Sequence, residues 1–320
     1  MKTIGIDISK MTFDVYCEEL GHSQFSNDKV GFKALNKLLS KEDHCVMEAT
    51  GCYHLQLASY LFEKGFKVSV ANPLVVKRFI QMKQQKVKTD KHDAIMIARY
   101  GQEQNPKLWE PEPAFIEEGK LITTLIQMYV KQQTQLKNKL DNLRSGGVER
   151  GAMIQSLNLQ LKRIKVEIKK LETGLENLLK EHAPDVMTNI RSIPGIGKKT
   201  AMLMMVTTNN FRDFDNAKQV TSYVGLAPVE KSSGSSIRGR SYISKRGNPM
   251  LRHHLFMCSF TACQNNSECR ALYERIVAKG KSKKLALIAV CNKLIKQAYG
   301  VCKNDLIYDE NYRRRRKVEL

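Results

Sequence analysis

The first hundred residues alternate between two spacings of apolar positions. "TIGIDI" (3–8) and "TFDVYC" (12–17) are short β-rich runs with a tight connection, which predicts a hairpin. "HCVMEAT" (44–50) and "KVSVAN" (67–72) are the continuous apolar runs of buried strands, with helical spacing in "HLQLASYLFEKG" (54–65) between them. Strands alternating with helices predict an α/β layer. A further amphipathic helix begins within "KVKTDKHDAIMIARY" (86–100), capped by Thr89 or Asp90, with Ala94, Ile95, Ile97 and Ala98 on its apolar face.

After the proline-bearing "NPKLWEPEPAF" the pattern changes to two long helical stretches, roughly 115–144 and 152–182, split by "SGG" at 145–147. In the second stretch Leu157, Leu161, Ile164, Ile168, Leu171, Leu175 and Leu178 alternate spacings of four and three, a heptad seam. Such a seam packs a helical hairpin on itself or joins protomers, and the second reading is the one favoured here: a homo-oligomer, dimer or tetramer. The last section opens with "IRSIPGIGKKTAMLMM" (190–205), which matches a helix-hairpin-helix element. There Gly195 and Gly197 would open backbone amides at a helix amino end to a phosphate, with Lys198 and Lys199 adding charge. The chain thus divides at 1–105, 106–182 and 183–320.

Of the 320 residues, 42% are hydrophobic, enough to build real cores. No apolar run approaches the roughly 18 residues of a membrane span, and "MKTIGIDISK" lacks the apolar core of a signal peptide, so the expected place is the cytoplasm, with no membrane partner. The eight cysteines form no CxxC pair and read as reduced core thiols. The net charge of +21 is unevenly spread. Residues 1–105 hold 15 Lys and Arg against 12 Asp and Glu, residues 106–182 hold 13 against 10, and residues 183–320 hold 25 against 10. That points to a polyanion surface in the last section, with nucleic acid the obvious candidate.

Against this basic background the acids of the first section stand out. Asp7 lies inside an apolar strand, where a carboxylate is costly unless paired or metal-bound, and Glu48 ends a later strand. Asp90 and Asp93 fall one helical turn apart, and two carboxylates that close repel each other unless a cation or proton sits between them. Each acid also has an ordinary use: a lysine partner for Asp7, a turn cap for Glu48, the helix dipole for the aspartates. Gathered at one sheet edge, four oxygen donors favour a hard cation such as magnesium. Far along the chain, "YVGLAPVEKSSGSSIRGRSYISKRGNPMLRHHL" (223–255) places five serines between positions 232 and 241, flanked by Arg238, Arg240, Lys245, Arg246 and Arg252, a phosphate-binding loop in which one serine could be a nucleophile.

Taken in order, "GIDISK", "MEATG", "KTDKHDA", "SIPGIGKKTA", "YVGLAP", "SSGSSIRG" and "SKRGNPMLR" resemble the blocks of the DEDD transposases of the insertion-sequence-one-ten family, relatives of the Piv DNA invertase, over essentially the whole chain. The resemblance implies a RuvC-like (ribonuclease H-like) α/β domain, a coiled-coil linker and a mainly α-helical transposase domain. It implies that Asp7, Glu48, Asp90 and Asp93 bind Mg2+, two ions per site with Mn2+ as a substitute. The family's nucleophilic serine maps onto Ser233 before Gly234, with Ser232 adjacent. It further implies cleavage and rejoining of donor and target DNA under the guidance of a bridge RNA, near the nucleoid of a bacterial cell. Two other functions stay open on the residues alone: a RuvC-like hydrolytic nuclease that needs no serine, and a nucleic-acid-binding protein whose acids are structural.

Overall fold

The apolar runs of the first section become one sheet in the computed structural model, which describes residues 2–83, 89–229, 232–233, 237–238 and 242–311. β1 (Thr3–Ile8) and β2 (Thr12–Cys17) form the expected antiparallel hairpin. β4 (His44–Glu48) and β5 (Lys67–Ala71) add in parallel on the other side of β1. A strand that the apolar pattern did not announce, β3 (Gly21–Ser26), pairs antiparallel with β2 and completes the order β3-β2-β1-β4-β5. Its sequence GHSQFS is polar because it forms the sheet edge, where most of its side chains meet water.

Both faces of this sheet are covered. Ile4, Ile6, Phe13, Cys45 and Met47 pack against α1 (Lys29–Leu38) and α2 (Leu55–Glu63) through Phe32, Leu35, Leu57 and Leu61. On the opposite face Val46 and Ala71 meet α3 (Pro73–Met82) and α4 (Asp90–Gln104) through Val76, Phe79, Met96 and Ile97. Each large side chain buried this way contributes about 1.5–3 kcal/mol against its exposed state. Gly5 and Gly101 bring no side chain to the contact between α4 and the sheet, so the helix lies directly on β1 and β4. Trp109 then anchors the departing chain: its amide donates to the Val68 carbonyl and its ring meets Phe62 edge-on. These elements form one compact unit, Met1–Pro111, and the rest of the chain forms a second, Glu112–Leu320, where the sequence suggested three sections.

In the second unit α5 (Ala114–Ser145) and α6 (Ala152–His182) make an antiparallel hairpin. Phe115 stacks on His182 at one end, and Leu140 packs with Ile154 and Leu161 near the turn. Leu157, Leu161 and Leu175 of the heptad seam all pack on α5 of the same chain, so the seam closes a hairpin here. The remaining helices are α7 (Pro184–Arg191), α8 (Lys198–Thr207), α9 (Ala217–Val224), α10 (Pro249–Asn265), α11 (Ser267–Ala278) and α12 (Lys283–Lys303). They enclose a core that includes Phe211, Val220, Leu251, Leu255 and Leu294. By length and composition α12 could cross a membrane, as core helices of globular proteins also can, and here Val290, Leu294 and Ala298 bury its apolar face in that core. Tyr223 is 43% exposed and meets Phe214 edge-on. All eight cysteines are free; five are buried, Cys263 and Cys302 are half-buried, and Cys52 lies on the surface.

Candidate active site

Strand alternation puts Thr3, Gly5 and Asp7 on the face that α4 covers. Gly101 of α4 stands over Thr3 and Val46, and Ala94 and Ala98 stand over Gly5, so the amino end of the helix points toward Asp7. That end is fixed by Thr89, the N-cap, whose Oγ1 accepts from the His92 amide at 3.2 Å. Asp90 and Asp93 therefore occupy the first helical turn. Glu48 closes β4, which runs parallel to β1, so it ends at the same edge.

The electrostatics register this convergence. Burial pushes the Asp7 carboxyl up to about 6, and the charges of Asp93, Asp90, Glu48 and Asp14 push in the same direction. Three acids from β4 and α4 thus act on Asp7 of β1, and a fourth, Asp14 of β2, had not been singled out in the sequence. Among the described residues no three His, Cys, Asp or Glu side chains are arranged to hold an ion in the conformation seen. The donor set is nevertheless all carboxylate, and its mutual repulsion is the kind that a hard divalent cation relieves. His92, between the two aspartates, is half-buried, and its Nε2 is shielded with no hydrogen-bond partner among the described residues.

The serine segment lies in the second unit. Ser232 and Ser233 form a two-residue strand, β7, antiparallel to β8 (Ile237–Arg238), with Ser233 opposite Ile237. A second small ladder, β6 (Pro228–Val229) with β9 (Tyr242–Ile243), brackets it in sequence. Gly234 and Arg240 lie outside the described residues. Lys245 and Arg246 are exposed, Lys245 in a left-handed backbone conformation. Arg252 has a structural use: its guanidinium donates to the Val224 carbonyl at 2.8 Å, holding the end of α9.

A tight glycine turn precedes α8. Gly195 has φ 103° and packs so tightly on Ala262 that a Cβ would stand 2.6 Å from that side chain. Gly197 is the N-cap. The two lysines that follow are engaged, Lys198 with Glu176 and Lys199 with Glu172, both at 2.6 Å. Hydrogen bonds from Lys198 and Lys180 hold Glu176 down to about 2. No motif announced these pairs, because they depend on α6 packing beside α8.

Two family models match the chain. Residues 4–144 match the family model of the DEDD transposases of IS110, and residues 187–274 match that of the transposase IS116/IS110/IS902 family. The pilin gene-inverting protein of Moraxella bovis is 32% identical over 96% of this chain and 97% of its own length, and that of Moraxella lacunata is equally similar. The transposase for insertion sequence element IS1111A of Coxiella burnetii is 24% identical over 92% of this chain and 87% of its own. An α/β unit carrying clustered carboxylates, followed by a basic helical unit, is here that of a DNA transposase or recombinase, an enzyme that acts on DNA. Within that class the chain belongs to the IS110 family of transposases.

Proposed function

We propose that this transposase cleaves and rejoins donor and target DNA through a serine nucleophile, Ser233, assisted by a divalent-metal site on Asp7, Glu48, Asp90 and Asp93. The observation that carries the metal site is the convergence of Asp93, Asp90 and Glu48 on the half-buried Asp7. The sheet order β3-β2-β1-β4-β5, antiparallel on one side of β1 and parallel on the other, supports reading the first unit as RuvC-like. Bound Mg2+, as one or two ions, would supply Lewis-acid stabilisation of the oxygens that gain charge during a phosphodiester displacement.

The protein's own part follows from its residues. The Ser233 hydroxyl attacks phosphorus and gives up its proton to solvent as the Oγ–P bond forms, while the bond from phosphorus to one deoxyribose oxygen breaks and that oxygen leaves as a hydroxyl by taking a proton from solvent. The phosphoserine ester conserves the bond, so the reverse attack by a different DNA hydroxyl rejoins strands without an outside energy source. Lys198, Lys199, Lys245, Arg246, Arg238 and Arg240 are assigned to nucleic-acid phosphates, consistent with the excess of 25 basic over 10 acidic residues at 183–320. A bridge RNA pairing with both DNA partners would supply sequence choice, and several copies of the chain, working at the bacterial nucleoid, would bring the sites together.

The test is a denaturing gel of the full chain with labelled DNA, Mg2+ and the RNA transcribed from the flanking non-coding sequence. A DNA band shifted by covalent protein, lost in Ser233→Ala and kept in Ser232→Ala, is the expected result. Cleavage without a covalent band, indifferent to both serines, would instead make the protein a hydrolytic nuclease.

A further inference from the structure

Asp7 does not face the acid cluster alone. In the β1/β2 ladder it stands directly opposite Asp14, and the next ladder sets Asp14 opposite Gln24 of β3. Residues opposite each other in antiparallel strands project from the same face with Cβ atoms about 5 Å apart. Asp7, Asp14 and Gln24 therefore form one polar row across three strands, on the face where α4 lies. Asp14 is 5% exposed, more deeply buried than Asp7.

A carboxylate that deep is expensive unless its acceptors are filled. Here His22 Nε2 lies 2.7 Å from Oδ1, and Gln24 Nε2 donates to Oδ2 at 3.1 Å and to Oδ1 at 3.4 Å. His22 and Gln24 both sit on β3, so this edge strand fixes where the carboxylate points. A carboxylate has about four acceptor positions, and among the described residues Gln24 alone donates to Oδ2, which leaves it capacity. On stability grounds alone the placement is unfavourable, since it sets a second buried acid directly across the ladder from Asp7. The arrangement becomes favourable once a cation joins the cluster. We infer that Asp14, oriented by His22 and Gln24, is a positioning residue of the metal site, an outer carboxylate that accepts hydrogen bonds from the hydration shell of the ion held by Asp7. Outer partners of this kind orient metal ligands and change metal affinity about 10- to 100-fold.

This inference rests on the proposed metal site, so its test separates the two. Mn2+ binding by the full chain, followed by electron paramagnetic resonance, and Mg2+ binding, followed by calorimetry, are compared for wild type, Asp14→Asn, His22→Ala, His22→Gln and Asp7→Asn. The expected results are a roughly tenfold loss of affinity in Asp14→Asn, a smaller loss in His22→Ala, recovery in His22→Gln, which keeps a donor for Asp14, and the largest loss in Asp7→Asn. Unchanged binding in Asp7→Asn overturns the metal site itself. Weakened binding in Asp7→Asn with wild-type affinity in a folded Asp14→Asn overturns the role of Asp14 alone. Should Asp14→Asn not fold, equal affinity in His22→Ala and His22→Gln overturns it instead.

Discussion

Gly5 of β1 lies so near α4 that a Cβ there would stand 2.2 Å from the carbonyl oxygen of Ala94. The helix can neither rise from the sheet nor slide along it without uncovering Val46, Met96 and Ile97, all fully buried. This contact sets the height at which Asp90 and Asp93 meet Asp7. Gly5→Ala should therefore cost about 1–3 kcal/mol of stability, as overpacking does. It should also reduce DNA cleavage more than that loss explains, because the helix carries two of the four acids. Thermal unfolding read beside cleavage by folded enzyme checks both, and a variant with normal cleavage would show that α4 need not sit this close.

Asp7 gives the pH dependence. Its ordinary value is 3.8, and in the fold it is pushed up to about 6, first by burial. The folded state therefore holds a proton that the unfolded state has lost between those values. The stability gained from the neutral acid is complete below about pH 4 and gone above pH 6, where the ionised group is a burden. At 1.36 kcal/mol per unit the upper bound is about 3 kcal/mol, and partial exposure reduces it to about 1–2 kcal/mol. Metal-free Asp7→Asn should thus unfold at a higher temperature than wild type at pH 7.5 and at the same temperature at pH 4. Added Mg2+ should stabilise wild type at pH 7.5 and have much less effect on the variant. Equal melting of the two metal-free proteins at both pH values would remove the repulsion on which the site depends.

How much of this was legible follows from where each signal resides. Asp7 and Glu48 were readable because an acid in or at the end of an apolar run has few reasons to be there. Asp14 carries the same cue, in the middle of "TFDVYC", but no motif drew the eye to it and its partners His22 and Gln24 come from a strand whose polar sequence gave no β signal. Only the register of β1 on β2 and β2 on β3 reveals the row. The heptad seam was equally visible in sequence, yet its spacing is the same whether the partner helix belongs to this chain or another. The hairpin turn, not the seam, places α5 against it.

Arg252 illustrates the limit of counting charges. It sits among basic residues assigned to phosphates, but its guanidinium is committed to the carbonyl of Val224. Arg252→Ala should lower stability by about 1 kcal/mol, the cost of one such hydrogen bond, with DNA affinity nearly unchanged. Arg246→Ala, at an exposed position, should do the reverse. Melting curves and fluorescence anisotropy on the same two variants decide it, and a larger loss of DNA binding in Arg252→Ala than in Arg246→Ala would reverse the assignment.

Lys198 and Lys199 raise the complementary case, since each already holds a glutamate of α6. Exposed ion pairs contribute about 0.2–1 kcal/mol each, whereas a nucleic-acid phosphate also releases condensed counterions when a lysine takes it. A phosphate backbone can therefore displace Glu176 and Glu172 from the amino end of α8, and the glutamates act as weak competitors for that place. Removing both with Glu172→Gln and Glu176→Gln should strengthen DNA binding at low salt by about 2- to 30-fold, the sum of the two pair energies. Replacing both lysines with alanine should weaken binding and flatten the dependence of log affinity on log salt by about 2. Anisotropy across a salt series distinguishes these outcomes. Identical slopes for wild type and the double lysine variant would mean that the lysines bind no phosphate and that their pairs with α6 serve the fold alone.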